Sequence, residues 1–187
     1  MTILYIVIVI LVLWVILSFN KLVTLRNQVR NAFTQIDIQL KRRHDLIPNL
    51  VESVKGAMKF EQETLTKVME ARAKAINAFQ SGNIKEGFQN ENIISQALGR
   101  LFALRESYPE LKSNQQVSQL MEELTATENK ISFARQFYND ITTKYNIAIE
   151  IFPTNILARI MNFTHIDLFE LPKESPEKEV PKVNLTV

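Results

Sequence analysis

The chain has no cysteine, which removes disulfides, thiolate nucleophiles and cysteine metal ligands at once. Histidine is almost as scarce. His44 and His165 are the only two, they lie far apart, and without cysteine they make a poor metal set. There is no HExxH, no GxSxG and no glycine-rich phosphate loop. Glycine occurs 4 times and proline 6 times in 187 residues. Both residues punctuate helices, so a chain this poor in them is predicted to be all-α. Neither charge sign dominates, with 22 Lys+Arg against 20 Asp+Glu. That balance argues against nucleic-acid binding over the whole surface.

What is present begins with an apolar run. Residues 3–19, ILYIVIVILVLWVILSF, carry no charge. At ~1.5 Å per residue they span roughly 25 Å, a little short of a ~30 Å hydrocarbon core. Lys21 extends the reach by snorkelling toward headgroups. The start is Met-Thr and no Ala-x-Ala-like site follows, so an uncleaved anchor over 1–20 is expected, with Ile3, Trp14 and Phe19 within it and Lys21 at its edge. Lys21, Arg26 and Arg30 follow the run, and the positive-inside rule puts the rest of the chain in the cytoplasm.

A four-helix pattern is expected over 21–152. Val29, Ala32, Phe33, Ile36 and Leu40 form the apolar stripe of a first helix. Pro48 lacks the N–H that would bond the His44 carbonyl and pushes residue 47 away from α geometry. A tight turn there is expected, with a second helix over 49–79. SGN at 81–83 ends it, and a third helix covers 86–106. The fourth is the clearest. Val117, Leu124, Ile131, Tyr138, Tyr145 and Phe152 repeat every seven residues. Leu120, Thr127, Ala134, Ile141 and Ala148 repeat beside them, the a/d seam of a coiled coil or bundle. Short connections favour an antiparallel, up-and-down bundle with LKRRHDLIPNL, 40–50, at the membrane-distal tip.

Two segments remain. In 153–170, Ile156, Leu157, Ile160 and Met161 share a face, which suits either a helix on the membrane interface or a cap on the core. Residues 171–187 carry three prolines and mixed charge, the composition of a flexible tail.

The charged residues at the tip pose the functional question. Leu22, Val29, Ile36, Arg43 and Leu50 share one heptad line, so Arg43 points toward the seam. Arg72 takes the same kind of place between Leu65 and Phe79. A buried arginine needs a carboxylate, and Asp45, Glu52, Glu61 and Glu128 are the candidates. One reading is a structural ion-pair network that fixes register. The other is a polar docking surface. The acidic run EQE at 61–63 reads as a solvated helix face.

Two long blocks carry a family resemblance. The first is NKLVTLRNQVRNAFTQIDIQLKRRHDLIPNLVESVKGAMKFEQETLTKVMEAR, the second YPELKSNQQVSQLMEELTATENKISFARQFYNDITTKYNIAIEIFPTNILARIMNF. Together they resemble the LemA family of bacterial membrane proteins from about Asn20 to Glu170. Phe33 stands where tryptophan is common, His44 replaces a tyrosine, and Met161-Asn162-Phe163 replaces a Gly-Phe pair. The resemblance implies a single-pass protein of the bacterial inner membrane with a helical-bundle domain, no established enzymatic activity and no cofactor. It also implies an adaptor or scaffold, since the family is linked with membrane-embedded zinc metalloproteases and one branch acts in magnetosome membranes. Partners expected on these grounds are the lipid bilayer, further copies of the chain and a membrane protease. The matching positions Arg42, Arg43, Asp45, Pro48, Asn49, Glu52, Glu128, Asn129 and Arg135 are the candidates for the shared role. A ligand or stress sensor using the polar cluster at the tip is the alternative.

Overall fold

The computed structural model describes residues 1–56, 58 and 61–169. The tail expected over 171–187 lies outside the described residues. Among the described residues there are six α-helices: α1 Thr2–Val54, α2 Gln62–Gln80, α3 Ile84–Leu104, α4 Pro109–Ser113, α5 Gln115–Glu150 and α6 Thr154–Ile160. A 3-10 turn, Arg105–Ser107, precedes α4. Among the described residues there is no strand.

Pro48 lies inside α1. This corrects the turn expected there and the second helix expected from 49. The chain instead leaves helical geometry after Val54 and enters α2 at Gln62. A proline in a helix interior costs about 3 kcal/mol or more, partly for the lost N–H. The reason the helix survives is found among the side chains described below.

The chain divides into two compact units. Unit 1 is Met1–Arg43 with Leu124–Phe169, and the described part of unit 2 is His44–Glu123. In unit 1 the first stretch of α1 is apolar enough to cross a membrane, and none of that stretch is buried against protein. Beyond it, Leu22, Val29, Ala32, Ile36 and Leu40 are buried. On α5, Leu124, Thr127, Ile131, Tyr138, Ile141, Tyr145 and Ala148 are buried, so the seven-residue repeat marks the inward face. Phe152 departs from it. Helix α5 stops at Glu150, and Phe152 is 80% exposed.

In unit 2, α2 and α3 pack against each other as a helical hairpin. Gly82 makes the turn with φ 79°, and the Asn83 N–H closes onto the Ala78 carbonyl at 2.8 Å. The Asn83 side chain then accepts from the Glu86 N–H at 3.2 Å and caps α3. Gly87 admits the Phe79 ring, whose nearest carbon would lie 2.6 Å from an added Cβ. Phe79 and Phe88 meet edge to face at 5.5 Å.

Helix α6 ends in the same way as α2. Asn162 has φ 54°, and the Phe163 N–H bonds the Ala158 carbonyl at 2.9 Å. Asparagine tolerates the left-handed region better than other side chains do, so Asn162 performs the turn that glycine makes elsewhere.

Candidate functional site

Arg43 is fully buried, and its Nη1 pairs with Glu128, whose side chain is 34% exposed. The heptad line sets this geometry. Arg43 falls on the buried stripe of α1, and Glu128 lies one residue past buried Thr127 on α5. Of the four carboxylates expected as partners, Glu128 is the one the fold brings to Arg43. Burying the pair takes the guanidinium out of water, so the carboxylate is what makes the site tolerable.

The next residue belongs to unit 2 and carries a second buried pair. His44 Nε2 lies 2.6 Å from Glu91 Oε1, with Glu91 fully buried on α3. Sequence reasoning missed Glu91. Its only signal is an acid on the line of Ile94, Leu98 and Leu101, the apolar face of α3.

Arg72 was expected beside a carboxylate. Its Nε instead donates to the His44 carbonyl oxygen at 2.7 Å. That carbonyl is the one whose helical donor Pro48 lacks. A side chain from α2 thus supplies the missing bond and lets α1 continue through the proline.

Most of the other polar candidates between 42 and 52 are exposed. Arg42 in unit 1 is exposed. In unit 2, Asp45, Asn49 and Glu52 are exposed, and Pro48 is half-buried. Asn49 and Glu52 line an open polar groove of about 330 Å³ with Ser53, Gln116, Gln119 and Glu123. In unit 1, Asn129 is exposed on α5. Arg135 is half-buried, with its guanidinium carbon 4.2 Å from the centroid of the Phe169 ring.

Unit 1 also holds a structure that the sequence reading did not anticipate. Residues 163–169 run against α5 in the opposite direction, held by two Tyr-Asn pairs. Asn146 donates to the Ile166 carbonyl at 2.9 Å and accepts from the Ile166 N–H at 3.1 Å. Asn139 does the same for Phe169, at 3.0 and 2.7 Å. Beside them, Tyr145 donates to the Thr164 carbonyl at 3.0 Å and Tyr138 to that of Asp167 at 2.9 Å. Seven residues of helix advance about 10 Å. Three residues of extended chain advance nearly the same. The two spacings therefore match, and each pair meets an equivalent backbone position. Burial raises the ionisation of both phenols above the usual range. For Tyr138 the nearby Asp167 charge adds to it and the Thr142 hydroxyl opposes it; for Tyr145 the Arg26 charge opposes it.

A second face of unit 1 is apolar and open. A groove of about 500 Å³ lies between α1 and α5, lined by Gln35, Ile38, Gln39, Lys130, Phe133, Ala134 and Phe137. Ile38 is 58% exposed and Phe133 72%. Among the expected membrane residues, Ile3, Phe19 and Lys21 are exposed and Trp14 half-buried. Ile156, Ile160 and Met161 are exposed as well. Leu157 is buried, so it does not share their exposed face.

The LemA family profile matches residues 32–185. Protein LemA of Metamycoplasma hominis is 28% identical over 81% of this chain and 68% of its own length. Magnetosome protein MamQ 2 of Paramagnetospirillum magneticum is 25% identical, over 89% of this chain and 68% of its own. Magnetosome protein MamQ of Magnetospirillum gryphiswaldense is 24% identical, with the same coverage. The profile spans well over half of the sequence, and the chain belongs to the LemA family.

Proposed function

We propose that this protein is a non-catalytic scaffold, anchored in the bacterial inner membrane by one pass of α1, with its domain an up-and-down helical bundle in the cytoplasm. It self-assembles in the bilayer and presents partners, a membrane metalloprotease among them. The observation that carries this reading is the continuity of α1, one helix from the apolar run into the buried stripe of unit 1. Lys21, Arg26 and Arg30 support the cytoplasmic side. The relatives named as magnetosome proteins support a role in organising a membrane.

The assembly face is the groove between α1 and α5, and its occupant is a second copy of this chain. Anchors held parallel in one bilayer present the same face at the same height and raise its effective concentration. Ile38 and Phe133 line one groove from two helices, so a two-fold axis along the membrane normal brings each opposite the other in its neighbour. The cysteine-free chain makes the test simple. Ile38→Cys chains and Phe133→Cys chains held together in native membranes and oxidised mildly yield disulfide-linked dimers, the closed pair that a two-fold axis makes. Monomer alone in native membranes overturns self-assembly through this face. A single adduct with another protein identifies a client and makes the chain an adaptor.

The polar groove of unit 2 favours a second reading, a ligand or stress sensor. Its test is a small molecule that raises the melting temperature of the whole chain and loses that effect in Asn49→Ala.

A further inference from the structure

Helix α6 buries Leu157 and Ala158 and turns its remaining apolar residues outward. Ile156 is 54% exposed and Ile160, one turn later, 70%. Phe152 and Met161 flank the helix and are exposed too. Four large apolar residues on one short stretch leave a patch that a water-soluble surface seldom carries.

Its place in the fold decides what covers it. Phe163, the residue after the α6 turn, meets Phe19 edge to face at 6.1 Å. Phe19 ends the apolar run of α1. The Arg26 guanidinium carbon lies 5.1 Å from the centroid of the same Phe163 ring, a cation held over an aromatic face. These contacts hold the chain just after α6 at the level where α1 passes from apolar to charged residues. Arg159 is exposed in the last turn of α6, a cation beside Ile160 that can reach lipid phosphate while its stem stays apolar.

We infer that α6 lies in the headgroup–acyl boundary of the bilayer that α1 crosses, with Phe152, Ile156, Ile160 and Met161 inserted. An amphipathic helix in this position buries its apolar face about 5–10 Å into the interface. The inference rests on α1 spanning the membrane and adds a second contact. One contact leaves the domain free to tilt with the anchor helix. Two fix which side of it faces along the membrane, and so which face meets a neighbour.

The test uses the full chain in vesicles of phosphatidylcholine and phosphatidylglycerol, with lipids brominated either near the headgroup or near the acyl-chain end. Trp14 is the only tryptophan, so the unaltered chain reports the anchor alone. A second protein, Trp14→Phe with Ile160→Trp, reports α6, and the substituted position is exposed enough not to disturb the core. A third, Trp14→Phe with Ser132→Trp, is the comparison far along α5 from α6, at an exposed position outside the α1/α5 groove. The expected result is loss of emission and a blue shift for the indole at position 160 with headgroup-brominated lipid, and neither effect of lipid at position 132. Quenching of Trp14 without quenching at 160 overturns the inference and leaves the anchor standing. Blue-shifted emission would then mean that protein covers the patch, and red-shifted emission that water does. An unquenched Trp14 overturns the anchor, and the inference falls with it.

Discussion

Arg72 Nε and the His44 carbonyl oxygen stand 2.7 Å apart, joined across the place where Pro48 interrupts the hydrogen bonds of α1. The two features answer each other, so their effects on stability are coupled. Arg72→Met leaves a carbonyl without its donor and is expected to cost about 1–3 kcal/mol. Pro48→Ala restores the helical N–H, and in that background the same Arg72→Met change costs less. Denaturant melts of the four proteins in the cycle measure this directly. Equal costs in both backgrounds would show that the bond does not compensate the proline.

The Arg43–Glu128 pair separates structure from docking. Glu128→Gln weakens the charge partner of a buried guanidinium, and the expected loss is about 1–2 kcal/mol, moderated because Glu128 is partly solvated. Arg43→Met with Glu128→Met removes both charges and recovers much of that loss. Thermal unfolding of the single and double variants reads the difference. Arg43→Met with an unchanged melting temperature would refute a structural role for the pair.

The Tyr-Asn pairs act locally. Asn139→Ala strips both partners from the Phe169 backbone, and Asn146→Ala strips both from Ile166. Each is expected to cost about 1–3 kcal/mol. Amide hydrogen exchange gives the finer readout. The Phe169 amide should exchange faster in the first variant and the Ile166 amide in the second. Uniform acceleration in both would mean that 163–169 detaches as a unit.

Tyr138 and Tyr145 set an alkaline limit. Both phenols ionise later in the folded chain than an ordinary phenol does, chiefly because they are buried. The folded state therefore holds these protons more tightly. The associated stability is complete below the ordinary phenol range, near pH 10, and is lost as pH rises through the folded values. Melting temperature should fall across that window, and Tyr138→Phe should make the fall shallower. An identical fall in the variant would exclude Tyr138 as a cause.

Gly87→Ala tests the hairpin of unit 2. The added Cβ would press on the Phe79 ring at 2.6 Å, so ring or helix must move. A loss of about 1–3 kcal/mol is expected, as for other overpacked sites. Phe79→Leu in the same chain should relieve part of it.

Much of the helix pattern is legible in the sequence because it rests on spacing. The heptad line that carries Arg43 inward, the buried tyrosines of α5 and the apolar run all follow from local periodicity. Pro48 does not. Its disruption is local, but the group that offsets it comes from a different helix, and no pattern around 48 announces Arg72. The Tyr-Asn pairs were half visible. The tyrosines fit the seam, while the asparagine after each looks like an ordinary polar neighbour. The segment they hold has no period of its own, because the α5 side chains that hold it bind its backbone. The four apolar residues of 156–161 divide for a simpler reason. A helix of 7 residues is too short for spacing alone to separate the outward Ile156 from the inward Leu157.

An unbroken α1 also makes unit 1 a shaft and not a tethered weight. Each residue inserted between Phe19 and Leu22 would turn the domain about 100° around the helix axis and lift it ~1.5 Å. A flexible linker would absorb such an insertion; this helix transmits it as torque. One inserted residue should swing the α1/α5 groove away from a neighbouring copy while the fold of the domain stays intact, and seven should bring it nearly back.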